Sequence, residues 1–246
     1  MLANHIHQKA FGPENMANED TNYAVIIGDI SGSKQLGSKH RYQTQLFIKS
    51  AIVQINEEYQ EIIEAPLTIT KGDEFQGLFS DLSNAFKIAL AVERLIFPVQ
   101  VKFGFGVGQI YKMGGKLPIE MDGPAFHNSN GALQYAKKRK ICSALKSNIP
   151  EVDILVNTIF KLITALKYRW NDRHYKLYWS YKDLGTYRKV AELENITPQA
   201  VCDILKNIRA LDVKSAEENL YEFFESIYQR LDYSKPFIPE DELSVK

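Results

Sequence analysis

The chain is poor in cysteine, has no surplus of charge and has no long apolar run, and each shortage removes a class of protein. Its two cysteines, Cys142 and Cys202, stand sixty positions apart, with no CxxC pair and no Cys/His cluster. That argues against a disulfide scaffold and against a structural zinc site, and it fits a reducing, cytoplasmic compartment. The longest apolar stretch, Ile154 to Leu166, is broken by Asn157 and Lys161. No segment reaches the roughly eighteen apolar residues of a membrane-spanning helix, so no membrane partner is expected. No charged segment followed by an apolar core opens the sequence, so no secretory signal is expected. Lys+Arg and Asp+Glu number 30 each, which excludes a uniformly basic nucleic-acid coat.

What is present is ordinary globular material. The 246 residues are 45% apolar and 24% charged, enough for one large domain or two small ones. The neutral total hides a polarity. Residues 161–214 hold eleven Lys/Arg against six Asp/Glu, a net +5, and residues 215–246 hold three against eight, a net −5.

Residues 1–21 are polar and aperiodic and read as a flexible tail, with His5 and His7 inside it. Tyr23 to Ile30 is a short apolar run ending in Gly-Asp, a buried strand. From Arg41 to Ile63, apolar residues at Ile48, Ile52, Ile55, Tyr59 and Ile62 follow helical spacing, with Pro66 as the stop. Leu67–Thr70 and Glu74–Phe79 form a hairpin about Lys71-Gly72-Asp73. Ala85, Ile88, Val92, Leu95 and Ile96 mark a second amphipathic helix, capped by Asp81 or Ser83, and Val99–Ile110 is a further strand entered at Pro98.

The expected class is therefore α+β. A β-α-β-β-α-β, ferredoxin-like domain spans 22–149, with both helices on one face of an antiparallel sheet. A connecting helix follows over 150–179, and a helical domain with an amphipathic C-terminal helix over 180–246.

Asp29 ends the first strand and Asp73 tips the hairpin, on neighbouring strands of such a sheet. Two converging carboxylates repel unless a cation lies between them, and Mg²⁺ prefers hard oxygens and substrate phosphates. Asp29 and Asp73, with the Ile30 carbonyl, are the candidate metal ligands for Mg²⁺ or Mn²⁺. Ser31, Gly32 and Ser33 offer N–H groups to phosphates, and Lys71 and Gly72 flank the same corner. His127 and Asn128 are further candidate nucleotide contacts, with a structural role for His127 as the alternative. Lys137–Lys140 reads as a solvated helix end or a phosphate contact. The Gly104-x-Gly106-x-Gly108 run continues into Gln109-Ile110-Tyr111 instead of opening a helix, so it reads as a strand that a ligand or another backbone can approach closely.

Val25-Ile-Ile-Gly-Asp29-Ile-Ser-Gly-Ser33, Thr70-Lys-Gly-Asp73-Glu-Phe75, Phe103-Gly-Phe-Gly-Val-Gly108 and Gly123-Pro-Ala-Phe126 together resemble the SatD family. They also resemble class III nucleotide cyclases and, more distantly, GGDEF diguanylate cyclases, over residues 22–145. The resemblance implies a cyclase-like fold, a nucleoside triphosphate or nucleotide second messenger bound with Mg²⁺, a homodimer, and Asp29 and Asp73 as the metal-holding pair. The sequence departs from the cyclase set elsewhere. His127 and Gly131 stand where such enzymes carry Asn and Arg, and Ile69 where they carry a base-reading Lys.

Residues Tyr187–Leu205 resemble a helix-turn-helix. Ala191 lets two helices approach, and Asn195 suits a left-handed turn. Thr197 caps the second helix, Pro198 opens it, and Val190, Leu193, Ile196, Val201, Ile204 and Leu205 form the shared core. Thr197, Gln199, Lys206, Asn207 and Arg209 are the candidate contacts to double-stranded DNA, with protein docking as the alternative use. The aromatic stretch Tyr168, Trp170, Tyr175, Tyr178, Trp179 and Tyr181 reads as packing between units.

Three functions follow as expectations. The first is a cytoplasmic regulator in which a cyclase-like domain binds Mg-nucleotide and the helix-turn-helix binds DNA. The second is an active cyclase or nucleotidyl transferase. The third is a non-catalytic interaction adaptor.

Overall fold

The structure, a computed structural model, describes residues 21–31, 38–71, 73–112 and 115–230. The expected N-terminal tail with His5 and His7, and positions Gly32, Ser33 and Gly72, lie outside the described residues, as does the segment after 230.

Five strands form one sheet in the order β2-β3-β1-β4-β7. They are β1 (Tyr23–Ser31), β2 (Ala65–Lys71), β3 (Glu74–Phe79), β4 (Gln100–Gly108) and β7 (Ser143–Lys146). β1 is central and antiparallel to both β3 and β4, while β7 runs parallel to β4 at the edge. The strands β5 (Tyr111–Lys112) and β6 (Met121–Asp122) form a separate small ribbon.

Both faces of β1 are buried, which is why its sequence is a continuous apolar run. Ala24, Ile26 and Ile30 join the core beneath α1 (Ser38–Glu58) and α2 (Leu82–Leu95). Val25 and Ile27 join the opposite core beneath α3 (Pro124–Arg139). Asp81 is the cap of α2, its carboxylate accepting from the Asn84 N–H. Pro66 does not stop a helix: α1 ends at Glu58, a short 3₁₀ turn covers Gln60–Ile62, and Pro66 lies inside β2. β2 is an edge strand, the place in a sheet where a missing N–H is tolerated.

α3 lies directly on β4. A side chain at Gly104 would come 2.2 Å from the Ser129 carbonyl oxygen, and one at Gly106 would come 2.1 Å from the Ser129 nitrogen. The glycine run therefore admits another backbone, that of α3, at a separation no side chain allows.

Each sheet edge is sealed by an asparagine from a helix. The Asn56 amide on α1 donates to the Leu67 carbonyl and accepts from the Leu67 N–H of β2, at 2.9 and 2.8 Å. Asn157, on α4 (Pro150–Lys167), makes the same pair with Leu145 of β7, at 2.9 and 2.7 Å. Thr164 and Asp153 on α4 take the Cys142 and Ser147 N–H groups.

The remaining helices are α5 (Asp172–Leu184), α6 (Tyr187–Glu194), α7 (Pro198–Asn207) and α8 (Ala210–Arg230). α8 packs on α2 and α4, and one apolar core runs from the sheet into these helices. Phe86 meets Phe224 edge-on at 5.4 Å, and Phe105 stacks on Phe160 at 5.8 Å. Trp170, Tyr175, Tyr178, Trp179 and Phe97 form a continuous ring cluster and Tyr181 stacks on Tyr187, whereas Tyr168, expected to pack with them, is exposed. No helix of the described residues is long and apolar enough to cross a membrane.

Candidate functional site

The sheet register builds the site. Asp29 pairs across β1 with Glu74 of β3 on one side and with Lys102 of β4 on the other. Opposed residues point to the same face, here the α3 face, because β1 residues alternate and Val25 and Ile27 lie on it. The hairpin tip abuts the same strand end: the Ile30 N–H donates to the Asp73 carbonyl oxygen at 2.9 Å. Asp73 itself is buried.

Lys137, near the end of α3, lies over this corner. Its Nζ is 2.8 Å from Asp29 Oδ1 and 3.3 Å from Glu74 Oε1. Burial alone would lower its pKa, but the hydrogen bond and charge of Asp29, then those of Glu74, outweigh that and raise it. The ammonium is a resident cation on two carboxylates. Lys137 is thus not a solvated residue of a basic helix end, as one reading of Lys137–Lys140 had it. The missed signal was periodicity. Leu133, packed against Gly104, lies four residues earlier on the same helical face. Glu74 was also missed, and only the strand register reveals it. Lys102 is turned aside, its ammonium donating to the Ile141 carbonyl at 3.2 Å.

The fold brings the expected residues Asp29, Ile30 and Asp73 to one end of the sheet. Ser31 closes β1 and Lys71 closes β2 at the same end. His127 and Asn128 sit elsewhere. The Asn128 amide donates to the Val107 carbonyl, and β4 places Val107 about 16 Å along the strand from Lys102, the residue opposite Asp29. His127 is exposed, its Nε2 3.3 Å from Asp122. Within one chain, these two residues belong to the opposite end of α3.

Among the described residues, no group of three or more His, Cys, Asp or Glu side chains could hold a metal ion. The donor set expected from the sequence is smaller, two aspartates and a backbone carbonyl. That set suits Mg²⁺, which usually keeps several waters and fills its shell with substrate phosphates.

In the C-terminal helices, Asn195 ends α6 in the left-handed conformation at φ 53°. The Thr197 hydroxyl caps α7 by accepting from the Ala200 N–H, and Pro198 follows at its first position. Val190, Ala191, Val201 and Leu205 are buried, and Trp170 donates its indole N–H to the Ile208 carbonyl. Leu193 is not in this core: it is 64% exposed. α6 buries only Val190 and Ala191, and Leu193 is turned away from Ala191 by more than half a turn's worth of rotation about the helix. Thr197, Gln199, Lys206, Asn207 and Arg209 are all exposed. Two are engaged by acids: Gln199 donates to Asp203 at 2.8 Å, and Arg209 pairs with Asp212.

No curated protein matches the chain. Among solved structures it is similar to a bacterial light-regulated adenylyl cyclase, at 13% identity over 51% of this chain and 75% of that one, TM-score 0.38. It is likewise similar to the guanylate cyclase domain of RhGC from Catenaria anguillulae in complex with GTP, at 15% identity over 48% and 75%, TM-score 0.38. An EAL/GGDEF domain protein from M. capsulatus follows, at 16% identity over 50% and 83%, TM-score 0.35. The SatD family model matches residues 23–215, the four N-terminal motifs and the paired helices α6 and α7 among them. With that match running over most of its length, the chain belongs to the SatD family.

Proposed function

We propose that this protein is a cytoplasmic regulator whose ferredoxin-like, cyclase-like domain binds a nucleotide with Mg²⁺ and whose α6–α7 unit is a helix-turn-helix that binds double-stranded DNA. The strand order β2-β3-β1-β4 supports the first assignment, since it is that of the split β-α-β unit. The observation that carries the reading is the junction of the Asp29 strand end with the Asp73 hairpin tip, closed by the Ile30–Asp73 backbone bond at 2.9 Å.

Asp29, Asp73 and the Ile30 carbonyl would hold the ion, which would neutralise phosphate charge when bound. This chain's own residues do the rest. As the sequence suggests, the Ser31-Gly32-Ser33 and Lys71-Gly72 segments would supply phosphate contacts, and of these Ser31 and Lys71 end strands at this corner. Lys137, which lies on Asp29 and Glu74, would be the ammonium within reach of the phosphates of a bound nucleotide. Gly131, standing where cyclases carry an Arg, supplies no charge to a transition state, which favours sensing over fast turnover. Exposed Gln199, Lys206 and Asn207 on α7, with Thr197 at its N-cap and Arg209 beyond its end, would contact the DNA.

The test is calorimetry of the full chain with ATP or GTP and Mg²⁺, followed by chromatography of the mixture. Binding without product, lost in Asp73→Asn, is the expected result. Product that disappears in Asp29→Ala would make the protein a cyclase or nucleotidyl transferase. Affinity unchanged in Asp73→Asn would remove the site.

A further inference from the structure

β4 runs past its outer neighbour. β7 begins at Ser143, opposite Phe103, so Gln100, Val101 and Lys102 have β1 on one side and no strand on the other. The Phe103 N–H points outward, to the Cys142 carbonyl at 3.0 Å. Along a strand the peptide groups alternate between its two edges, so the N–H and carbonyl of Val101 point outward as well. Val101 is buried, and among the described hydrogen bonds none takes either group. A buried peptide donor and acceptor left in this state cost stability, which a bound partner would recover.

A cavity of about 310 Å³ lies against this edge. Its walls are aromatic. Phe97, Trp170 and Tyr175 line it, with Phe97 and Trp170 each 5.2 Å from Tyr175, ring centre to ring centre. Tyr168, 85% exposed, stands at the rim. Ring walls beside one free N–H and one free carbonyl suit a flat ligand that carries an acceptor and a donor side by side on its edge. A purine base has that edge and stacks on aromatic rings. A pyrimidine offers less surface to stack, and an added peptide strand would satisfy Val101 without filling the aromatic cleft.

The cavity adjoins the phosphate corner. Lys102 lines it and stands opposite Asp29 in the β1–β4 ladder, while Gln100 stands opposite Ser31. One strand spacing, about 5 Å, separates the two places, which leaves the ribose to bridge them. The ammonium of Lys102, held on the Ile141 carbonyl, belongs to this passage.

We infer that the cavity seats the purine base of the nucleotide, with the Val101 backbone reading the base edge and Tyr168 covering its face. The inference rests on the nucleotide reading and names the class of base that the same site takes.

The experiment is calorimetry of the full chain with Mg²⁺ and ATP, GTP, UTP or inorganic tripolyphosphate. ATP, GTP or both are expected to bind at least tenfold more tightly than UTP and tripolyphosphate. Tyr168→Ala is expected to weaken the tighter purine nucleotide about fivefold and to leave tripolyphosphate unchanged. Val101→Pro removes the outward N–H at a sheet edge, where proline is tolerated, and is expected to act on the purine nucleotide alone. The exposed Tyr168 variant carries the test should the proline variant unfold. Tripolyphosphate bound as tightly as the purine nucleotides overturns the base seat and leaves the phosphate corner standing. UTP bound as tightly overturns the purine assignment. A purine nucleotide indifferent to Tyr168→Ala overturns the stacking wall, and with it the seat. No binding of any of the four overturns the nucleotide reading and the base seat together.

Discussion

Lys137 holds its place because one ammonium satisfies two carboxylates that face the same side of neighbouring strands. On the proposed reading it would compete with a divalent ion for Asp29. Removing it in Lys137→Ala should raise the affinity for Mn²⁺ alone about fivefold, the worth of a part-exposed ion pair near 1 kcal/mol. Titration followed by electron paramagnetic resonance reads this directly, and weaker Mn²⁺ binding would show that the lysine does not occupy the ion's position. A second residue-scale cluster lies where α2, α4, α5 and α8 meet. Glu217 of α8, almost wholly buried, is 3.0 Å from Lys167, 2.8 Å from Lys182 and 2.6 Å from the Tyr178 hydroxyl. Burial pushes its pKa up, but Lys167 and Lys182 outweigh that and bring it from 4.5 to about 2. A depressed carboxyl stabilises the fold fully above its unfolded value and loses that contribution as pH falls toward the folded one. Thermal melts should therefore show the Glu217 contribution declining between pH 4.5 and about 2. Glu217→Gln should cost about 3 kcal/mol at neutral pH and flatten that acid limb. An unchanged acid limb in the variant would assign the loss to other groups.

At the scale of elements, the sheet ends in two helices whose asparagines imitate a further strand. Leu145 has no strand neighbour on its outer side, so Asn157→Ala would leave an N–H and a carbonyl without their partners. A cost of about 2 kcal/mol in urea unfolding is expected, and a change below a few tenths would mean water replaces the amide. Asn157 is also one of the two residues that interrupt the longest apolar stretch of the sequence. Its polarity reads as a break in a run, whereas in the fold it is the edge seal. Helical spacing identified α1, α2 and α8, because a buried face must repeat every three to four residues. The same rule misled at Leu193. α6 is only eight residues long, and two turns hold too few apolar positions to fix which face is inward. Pro66 misled for a related reason, since proline stops a helix and also sits at a sheet edge, and only strand order separates the two.

At the scale of the whole molecule, the basic and acidic segments of the sequence meet. Glu217, from the acidic stretch, takes Lys167 and Lys182 from the basic one, so part of the +5 segment is neutralised internally. Lys206 has no such acid partner among the described ion pairs, and it is exposed on α7. If α7 contacts DNA phosphates, Lys206→Ala should weaken binding to all sequences alike and reduce the salt slope by about 1. Binding titrations at several salt concentrations measure this, and an unchanged slope would remove the contact.

The order of the first six elements, the cap at Thr197, the left-handed Asn195 and the strand-end position of Asp29 were legible in the sequence alone, whereas the choice of Asp81 over Ser83 as the cap of α2 was not. Each of the legible features depends on residues within a few positions of one another, where spacing and backbone preference act directly. The tertiary structure alone decided that Glu74 and Lys137 share Asp29, and that two asparagines close the sheet. It also decided that an acid on α8 lies against α4 and α5, and that β4 runs past β7 beside an aromatic cavity. Those pairings join residues far apart in the chain. They depend on strand register and on how each helix is seated against its neighbours, quantities set by the packing of the whole core and not by any local pattern.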